Sequence, residues 1–358
     1  MFYWLFYEVL YPDISFFRVF KYITTRAFCA SLCSLFFVLI FTPIFINYLK
    51  KRGICERVKE EYLENHIHKS TIPTMGGIII LFAIITSTLL FSRLDNRLII
   101  LILLVTIGFG LLGFLDDSLK TRKRPLKIRE KLSGEIGIAI LISIYLFLYP
   151  LSPSSTNIAF PFTKGFFINL GIFYILFCIL VIVSSSNAVN LTDGLDGLAI
   201  GSCIFVCLGL IVMGYLAGHI KLAAYLKISY VPQAGELVVY LASLLGASLG
   251  FLWFNSHPAT IFMGDTGSLT LGGVMGTIAL VIKQEIPLII LEGLFVLEAG
   301  STLIQIISFR ITGKKIFLMA PLHHHFEKKG WYESKIVIRF WIIAIIFVLL
   351  SFVTLKIR

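Results

Sequence analysis

Four clusters of polar residues interrupt an otherwise apolar chain. The string GFLDDSLK sets two adjacent carboxylates, Asp116 and Asp117, directly after an apolar run and just before Lys120. Adjacent carboxylates cannot share one helix face, and close to lipid they repel, so they require a cation, a proton or nearby lysines. The competing reading is a solvated helix end neutralised by Lys120, although carboxylates at a helix C-terminus oppose the helix dipole. The string NAVNLTDGLDGLA gathers Asn187, Asn190, Asp193 and Asp196 in the gap between two apolar segments. Such density of donors and acceptors suits a nucleotide or a sugar; a turn in which Asp193 or Asp196 caps the next helix explains only one of the carboxylates.

The third cluster, FNSHPATIFMGDTGSLTLGG, contains Asn255, Phe262 and Asp265. A carboxylate beside the free amides of a helix N-terminus can hold Mg²⁺ while the amides face phosphate oxygens, or it can simply cap the helix. Phe262 could stack on a base or sit as an interfacial aromatic. The fourth, MAPLHHHFEKKGW, carries His323, His324 and His325. Three consecutive side chains diverge, and no Cys or spaced carboxylate completes a zinc site, so phosphate binding or proton transfer fits better. Glu292 and Glu298 lie inside an apolar segment, where a carboxylate is costly and normally functional or paired, and they receive no catalytic role.

The elements that must position these groups follow from composition. Of 358 residues, 58% are apolar and 14% charged, with a mean hydropathy of +0.92. A soluble domain carries about a quarter charged residues, so lipid is the main solvent. Spanning helices need roughly 20 mainly apolar residues. Ten stretches qualify: 24–49, 75–92, 97–115, 133–150, 167–187, 197–217, 236–254, 267–283, 287–309 and 335–356. Backbone amides in hydrocarbon must bond internally, and these runs are too long for barrel strands, so the predicted fold is an all-α polytopic membrane protein in one domain, 1–358. Residues 1–22, with Phe16, Phe17 and Phe20 beside Arg18 and Lys21, suit a segment lying along the membrane surface. The six cysteines form no CxxC pair and read as small buried hydrophobes. No convincing internal repeat suggests an inverted-repeat transporter.

Orientation follows from the basic residues. Nineteen of the 31 Lys and Arg fall in the loops after the first, third and ninth stretches, six, seven and six in turn. Those loops are therefore expected on the cytoplasmic side, with both termini periplasmic. A net charge of +11 spread in this way, rather than in one block, speaks against a nucleic-acid partner. All four polar clusters share the parity of the basic loops, which points to one cytoplasmic site. The segments 151–165 and 217–236 read as external connectors, the former with room for a short hairpin.

Carboxylates for a divalent ion, lysines and histidines for phosphate, and amides for polar groups, gathered at a membrane face, describe phosphoryl transfer with a lipid reactant. The strings HKSTIPTMGG, GFLDDSLK, NAVNLTDGLDGLA, FNSHPATIFMGDTGSLTLGG and MAPLHHHFEKKGW span the chain from about residue 50 onward. Together they resemble the phospho-N-acetylmuramoyl-pentapeptide transferases, a branch of the polyprenyl-phosphate N-acetylhexosamine-1-phosphate transferases, and the tripled His looks particular to that branch. The resemblance implies UDP-N-acetylmuramoyl-pentapeptide as donor, undecaprenyl phosphate as acceptor, lipid I and UMP as products, Mg²⁺ as cofactor, a homodimer and a bacterial inner-membrane location. It also implies Asp265 as Mg²⁺ ligand, Asp116 and Asp117 as the catalytic pair, and His324 assisting with phosphate. Lys69, Thr74, Lys120, Asn187, Asn190, Asp193, Asp196, Asn255, Phe262, His323 and His325 match positions around the nucleotide. Before Pro73 the family usually reads Gly-Thr, whereas this chain has Thr71 and Ile72, which puts a hydroxyl contact at position 72 in doubt. Two rivals are a transferase for N-acetylglucosamine phosphate and an ion-coupled transporter using Glu292 and Glu298; the latter would place acidic residues near the bilayer midplane on several helices.

Overall fold

The computed structural model describes residues 1–54, 72–122, 124–151, 155–161 and 167–356, and they form an almost entirely helical membrane protein. The chain runs through α1 (Ile23–Lys51), α2 (Gly77–Phe91), α3 (Arg97–Thr121) and α4 (Ile128–Leu148) to an antiparallel hairpin of β1 (Asn157–Ala159) and β2 (Phe167–Asn169). Then come α5 (Phe173–Thr192), α6 (Leu198–Gly218), the short α7 (Ile220–Leu226), α8 (Leu237–Asn255) and α9 (Gly264–Val281). The chain closes with α10 (Glu285–Leu291), α11 (Gly293–Thr312), α12 (Leu322–Lys328) and α13 (Glu333–Val353).

Each of the ten expected stretches contains a helix, and among the described residues eight helices are long and apolar enough to cross a membrane. The other two differ for separate reasons. α2 is apolar but has only 15 residues. α9 carries Asp265, Thr266, Ser268 and Thr270, and every residue from Asp265 to Val281 is buried. Protein rather than lipid surrounds α9, so its sides need not be apolar, and neighbouring helices supply the polar contacts instead. Ser185 and Ser186 of α5 donate to the Gly272 and Leu269 carbonyls at 2.8 and 3.0 Å. On α3, Thr106 shares a 2.7 Å hydrogen bond with the Tyr240 hydroxyl of α8.

Local rules move several boundaries. α3 runs six residues past the expected 115, so Asp116 and Asp117 lie inside its last turns. α4 begins at Ile128 rather than 133, because the Glu130 carboxylate accepts from the Lys127 amide at 2.9 Å and starts the helix within the charged stretch. Residues 167–169 are a strand, so α5 starts only at Phe173. The expected helix 287–309 is broken at Glu292 into α10 and α11, and Ser185 Oγ donates to that carboxylate at 2.8 Å.

Arg26, in the first turn of α1, is almost wholly buried. Its guanidinium meets Glu236 in a bidentate pair, both contacts 2.6 Å, and also donates to the Phe91 carbonyl at 3.3 Å. The Tyr3 ring lies against both Arg26 (4.9 Å) and Arg93 (5.1 Å), which pins the N-terminal segment to the ends of α1, α2 and α8. Arg26 is thus a structural charge, paired inside the protein and not exposed in a loop. Removing one partner of a buried pair costs about 3–5 kcal/mol, whereas a volume-matched apolar pair can be neutral. Arg26→Ala is therefore expected to lower the thermal midpoint in detergent, measured by size-exclusion after heating, more than the double variant Arg26→Met with Glu236→Leu.

Candidate active site

The site begins where the last turns of α3 meet the first turn of α9. Asp117 projects from α3 and accepts hydrogen bonds from the Asp265 amide (3.0 Å), the Thr266 amide (2.9 Å) and the Thr266 hydroxyl (2.7 Å). A carboxylate at the wrong end of its own helix dipole therefore caps the right end of another. Gly264, which opens α9, has φ of 74°, and a Cβ there would lie 2.7 Å from Asp117 Oδ2. Only glycine satisfies both the backbone conformation and the approach.

With its backbone fixed in this way, Asp265 turns its carboxylate toward cations. Lys120 Nζ lies 2.9 Å from Oδ1, Lys131 Nζ lies 2.5 Å from Oδ2, and the Asn190 amide donates to Oδ1 at 3.0 Å. Lys120 also reaches Asp116 Oδ2 at 3.0 Å and stands 3.9 Å from Asp117 Oδ1. Asn190 accepts from Lys131 at 3.0 Å and donates to Ser268 at 2.8 Å, while the Leu126 amide donates to Asp116 Oδ1 at 3.0 Å. Three buried carboxylates from α3 and α9 thus share two ammonium groups, with α5 supplying the amide.

The remaining expected residues fall around this centre in different ways. The segment before α2 pairs with the segment before α9: the Phe262 amide donates to the Pro73 carbonyl and the Gly76 amide to the Phe262 carbonyl, both at 2.8 Å. Thr74 and Phe262 are thereby neighbours in one short ladder, half-buried beside the opening of α9. Lys69 lies outside the described residues. Asp193 closes α5 one turn beyond Asn190. Asn187 points to α4, where it donates to the Glu135 carboxylate, and to the Val183 carbonyl. Asn255 is buried as a staple, accepting from the Gly197 amide (3.1 Å) and donating to the Ile261 carbonyl (2.8 Å).

Asp196 joins a group not anticipated as such. Its Oδ2 accepts from the Ala259 amide and contacts His257 Nδ1, both at 3.1 Å, while its own amide donates to Glu333 at 2.7 Å. One ligand atom from each of Asp196, His257 and Glu333 lies within 4.8 Å of the others, and this acidic group could hold a metal ion. In the histidine run, His324 Nδ1 pairs with Glu327 at 2.6 Å, and His325 Nδ1 accepts from the Leu318 amide at 3.1 Å. Burial, and then the charge of Lys329, lower the His325 pKa, in keeping with a ring that accepts. His323 is fully buried, with its ring against Gly194.

Residues 99–283 match the family described as Glycosyl transferase family 4. Three proteins, each named phospho-N-acetylmuramoyl-pentapeptide-transferase, are similar along nearly their whole length. Identity is 50% with that of Endomicrobium trichonymphae, covering 96% of both chains. It is 48% with that of Desulfotalea psychrophila, covering 99% of this chain and all of the relative. It is 47% with that of Thermodesulfovibrio yellowstonii, covering 98% of this chain and 99% of the relative. The chain belongs to the phospho-N-acetylmuramoyl-pentapeptide-transferase family.

For a member of this family, the donor set around Asp265 suits a hard divalent cation: carboxylates, an amide and hydroxyls, with no thiolate among the described residues. Lys120 Nζ already stands among three carboxylates, which marks a point where the site gathers positive charge. Lys131, Thr266 and Ser268 belong to this centre and were not singled out from the sequence. Lys131 was read as a loop charge because α4 was started too late; its i,i+4 spacing to Glu135 was the available helix signal. Strain at a left-handed non-glycine residue costs about 1–3 kcal/mol. Gly264→Ala is expected to lower both the thermal midpoint and the activity, while Gly300→Ala, where a Cβ meets nothing within 4 Å, changes neither.

Proposed function

We propose that the chain transfers phospho-N-acetylmuramoyl-pentapeptide from its UDP carrier to undecaprenyl phosphate, with Mg²⁺, giving lipid I and UMP for peptidoglycan synthesis. The observation that carries this reading is the convergence of Asp116, Asp117 and Asp265 from two buried helices around Lys120 and Lys131, in a chain of this family. The lysine-rich and arginine-rich loops adjoining that end favour the cytoplasmic face of the bacterial inner membrane, with both termini periplasmic. A dimer of this chain, implied by the family, completes the reading.

In the reaction, an oxygen of the lipid phosphate bonds to the sugar-linked phosphorus, and the bond from that phosphorus to the UMP oxygen breaks. Mg²⁺ would be held by Asp265 and would neutralise charge on the donor diphosphate. Asp117 has both oxygens engaged by α9, which suits a positioning role. Asp116 faces Lys120 and is the better candidate to hold the lipid phosphate proton. Lys120 and Lys131 meet phosphate oxygens, and water exclusion by the bundle strengthens each of these charges. Asn190 keeps Lys131 and Asp265 in register. Asp193 and Phe262 would form the nucleotide side, with His324 near a phosphate.

Purified protein with both substrates is expected to release UMP, to stop with a chelator and to resume with Mg²⁺. Asp265→Ala is expected to abolish release while eluting as a folded protein in detergent; full activity at saturating Mg²⁺ would remove the metal assignment. Lys131→Met is expected to lower turnover by about 10²-fold, the scale for one lost electrostatic donor, with the thermal midpoint little changed.

A further inference from the structure

Glu298 was left without a role by the sequence, and the proposed chemistry does not use it. It lies in α11, has no exposed surface, and sits inside a membrane-spanning helix, where a carboxylate is costly and calls for a partner. Its partner is His323, likewise without exposed surface. Glu298 Oε2 shares a 3.0 Å hydrogen bond with His323 Nδ1 and also lies 3.5 Å from the His323 amide. The two contacts from one carboxylate oxygen, to the ring and to the amide of the same residue, fix the orientation of the ring.

The opposite edge of that ring meets the turn between α5 and α6. A Cβ built on Gly194 would lie 2.4 Å from His323 Nε2, with the two neighbouring ring carbons at 3.2 and 3.3 Å. Neither His323 Nε2 nor Glu298 Oε1 has a hydrogen-bond partner among the described residues. The ring therefore acts on the turn by contact and not by a hydrogen bond. Gly194 is flanked by Asp193 and followed by Asp196, while the other face of His323 packs against His324, ring centroids 4.2 Å apart. One imidazole thus touches both the carboxylate-bearing turn and His324.

We propose that Glu298 and His323 are a positioning pair: Glu298 fixes the His323 ring, and the ring sets the spacing between the Asp193–Asp196 turn and His324. Neither residue contacts substrate. The pair rests on the functional reading above, because it assigns the turn to the nucleotide side of that site. Partners that orient a functional imidazole typically change affinity or activity by about 10–100-fold when removed.

The test measures UMP affinity by calorimetry, and kcat and KM for the UDP-linked donor, on monodisperse protein. Glu298→Ala is expected to weaken UMP binding and raise KM by about tenfold or more. Glu298→Gln keeps a hydrogen-bonding group of the same shape toward Nδ1 and is expected to restore both to within a few-fold of wild type. Gly194→Ala drives a methyl into the ring and is expected to reproduce the defect; adding His323→Ala removes the clash, so that double variant is expected to be no worse than Gly194→Ala alone. A purely structural role would change the yield of folded protein and leave UMP affinity and KM per folded molecule untouched, and that result overturns the proposal. So does a Gln variant as defective as Ala, or additive losses in the Gly194→Ala, His323→Ala cycle. Should Glu298→Ala fail to fold, the Gln variant and the Gly194 cycle decide alone. Failure of wild type to release UMP from the muramoyl donor overturns the functional reading only, since UMP affinity still reports on the pair.

Discussion

The structure depends on one electrostatic contact, the carboxylate of Asp117 against the N-terminus of α9. That contact accounts for two placements that look unfavourable in isolation. An Asp near the C-terminal end of α3 opposes the dipole of α3, and a helix N-terminus enclosed by protein leaves amides without water. Each is the remedy for the other, because the amides of Asp265 and Thr266 bond to Asp117. The cost of bringing two helix ends together inside a bundle is offset by pairing a negative group with a positive helix end. Once the backbone of Asp265 is held there, its side chain can only turn toward Lys120, Lys131 and Asn190.

The positions of the long helices were legible from apolar runs, because length and hydropathy are imposed by the lipid and need no partner to be read. Boundaries were not, wherever a helix continues into charged sequence. α3 passes through Asp116 and Asp117, and α4 starts within the charged stretch after Lys127, since helix formation there is set by capping and not by hydropathy. The break at Glu292 was hidden for the opposite reason: an apolar run continues across it, and only the contact with Ser185 of α5 gives the carboxylate a place. The enclosed α9 has the polarity of a helix that never meets lipid, and sequence alone gives no measure of enclosure.

At the candidate site, residue type and loop parity pointed to the clusters, and the structure brings Asp116, Asp117, Lys120, Asn190 and Asp265 into one network. Which polar groups face outward was not legible. Asn187, Asn190 and Asn255 look alike as strings, yet only Asn190 touches the carboxylate centre, while Asn187 bonds Glu135 on α4 and Asn255 staples two loops. The three histidines separate in the same way, because successive residues on a short helix point about 100° apart. One pairs with Glu298, one pairs with Glu327, and one accepts from the Leu318 amide.

Buried charge elsewhere in the bundle follows a common rule. Arg26 meets Glu236, Lys283 meets Glu285 and Tyr174, Glu292 meets Ser185, and Glu298 meets His323. Each pairing joins segments distant in sequence or fixes a bend between them, so desolvation is offset by a contact only the native arrangement provides. Glu292 and Glu298, a turn and a half apart, invited a reading as one ion pathway. Their partners lie on different elements, α5 and α12, and each carboxylate is directed to its own. Each carboxylate is engaged by its own partner, and these contacts hold the break at Glu292 and the histidine helix in place.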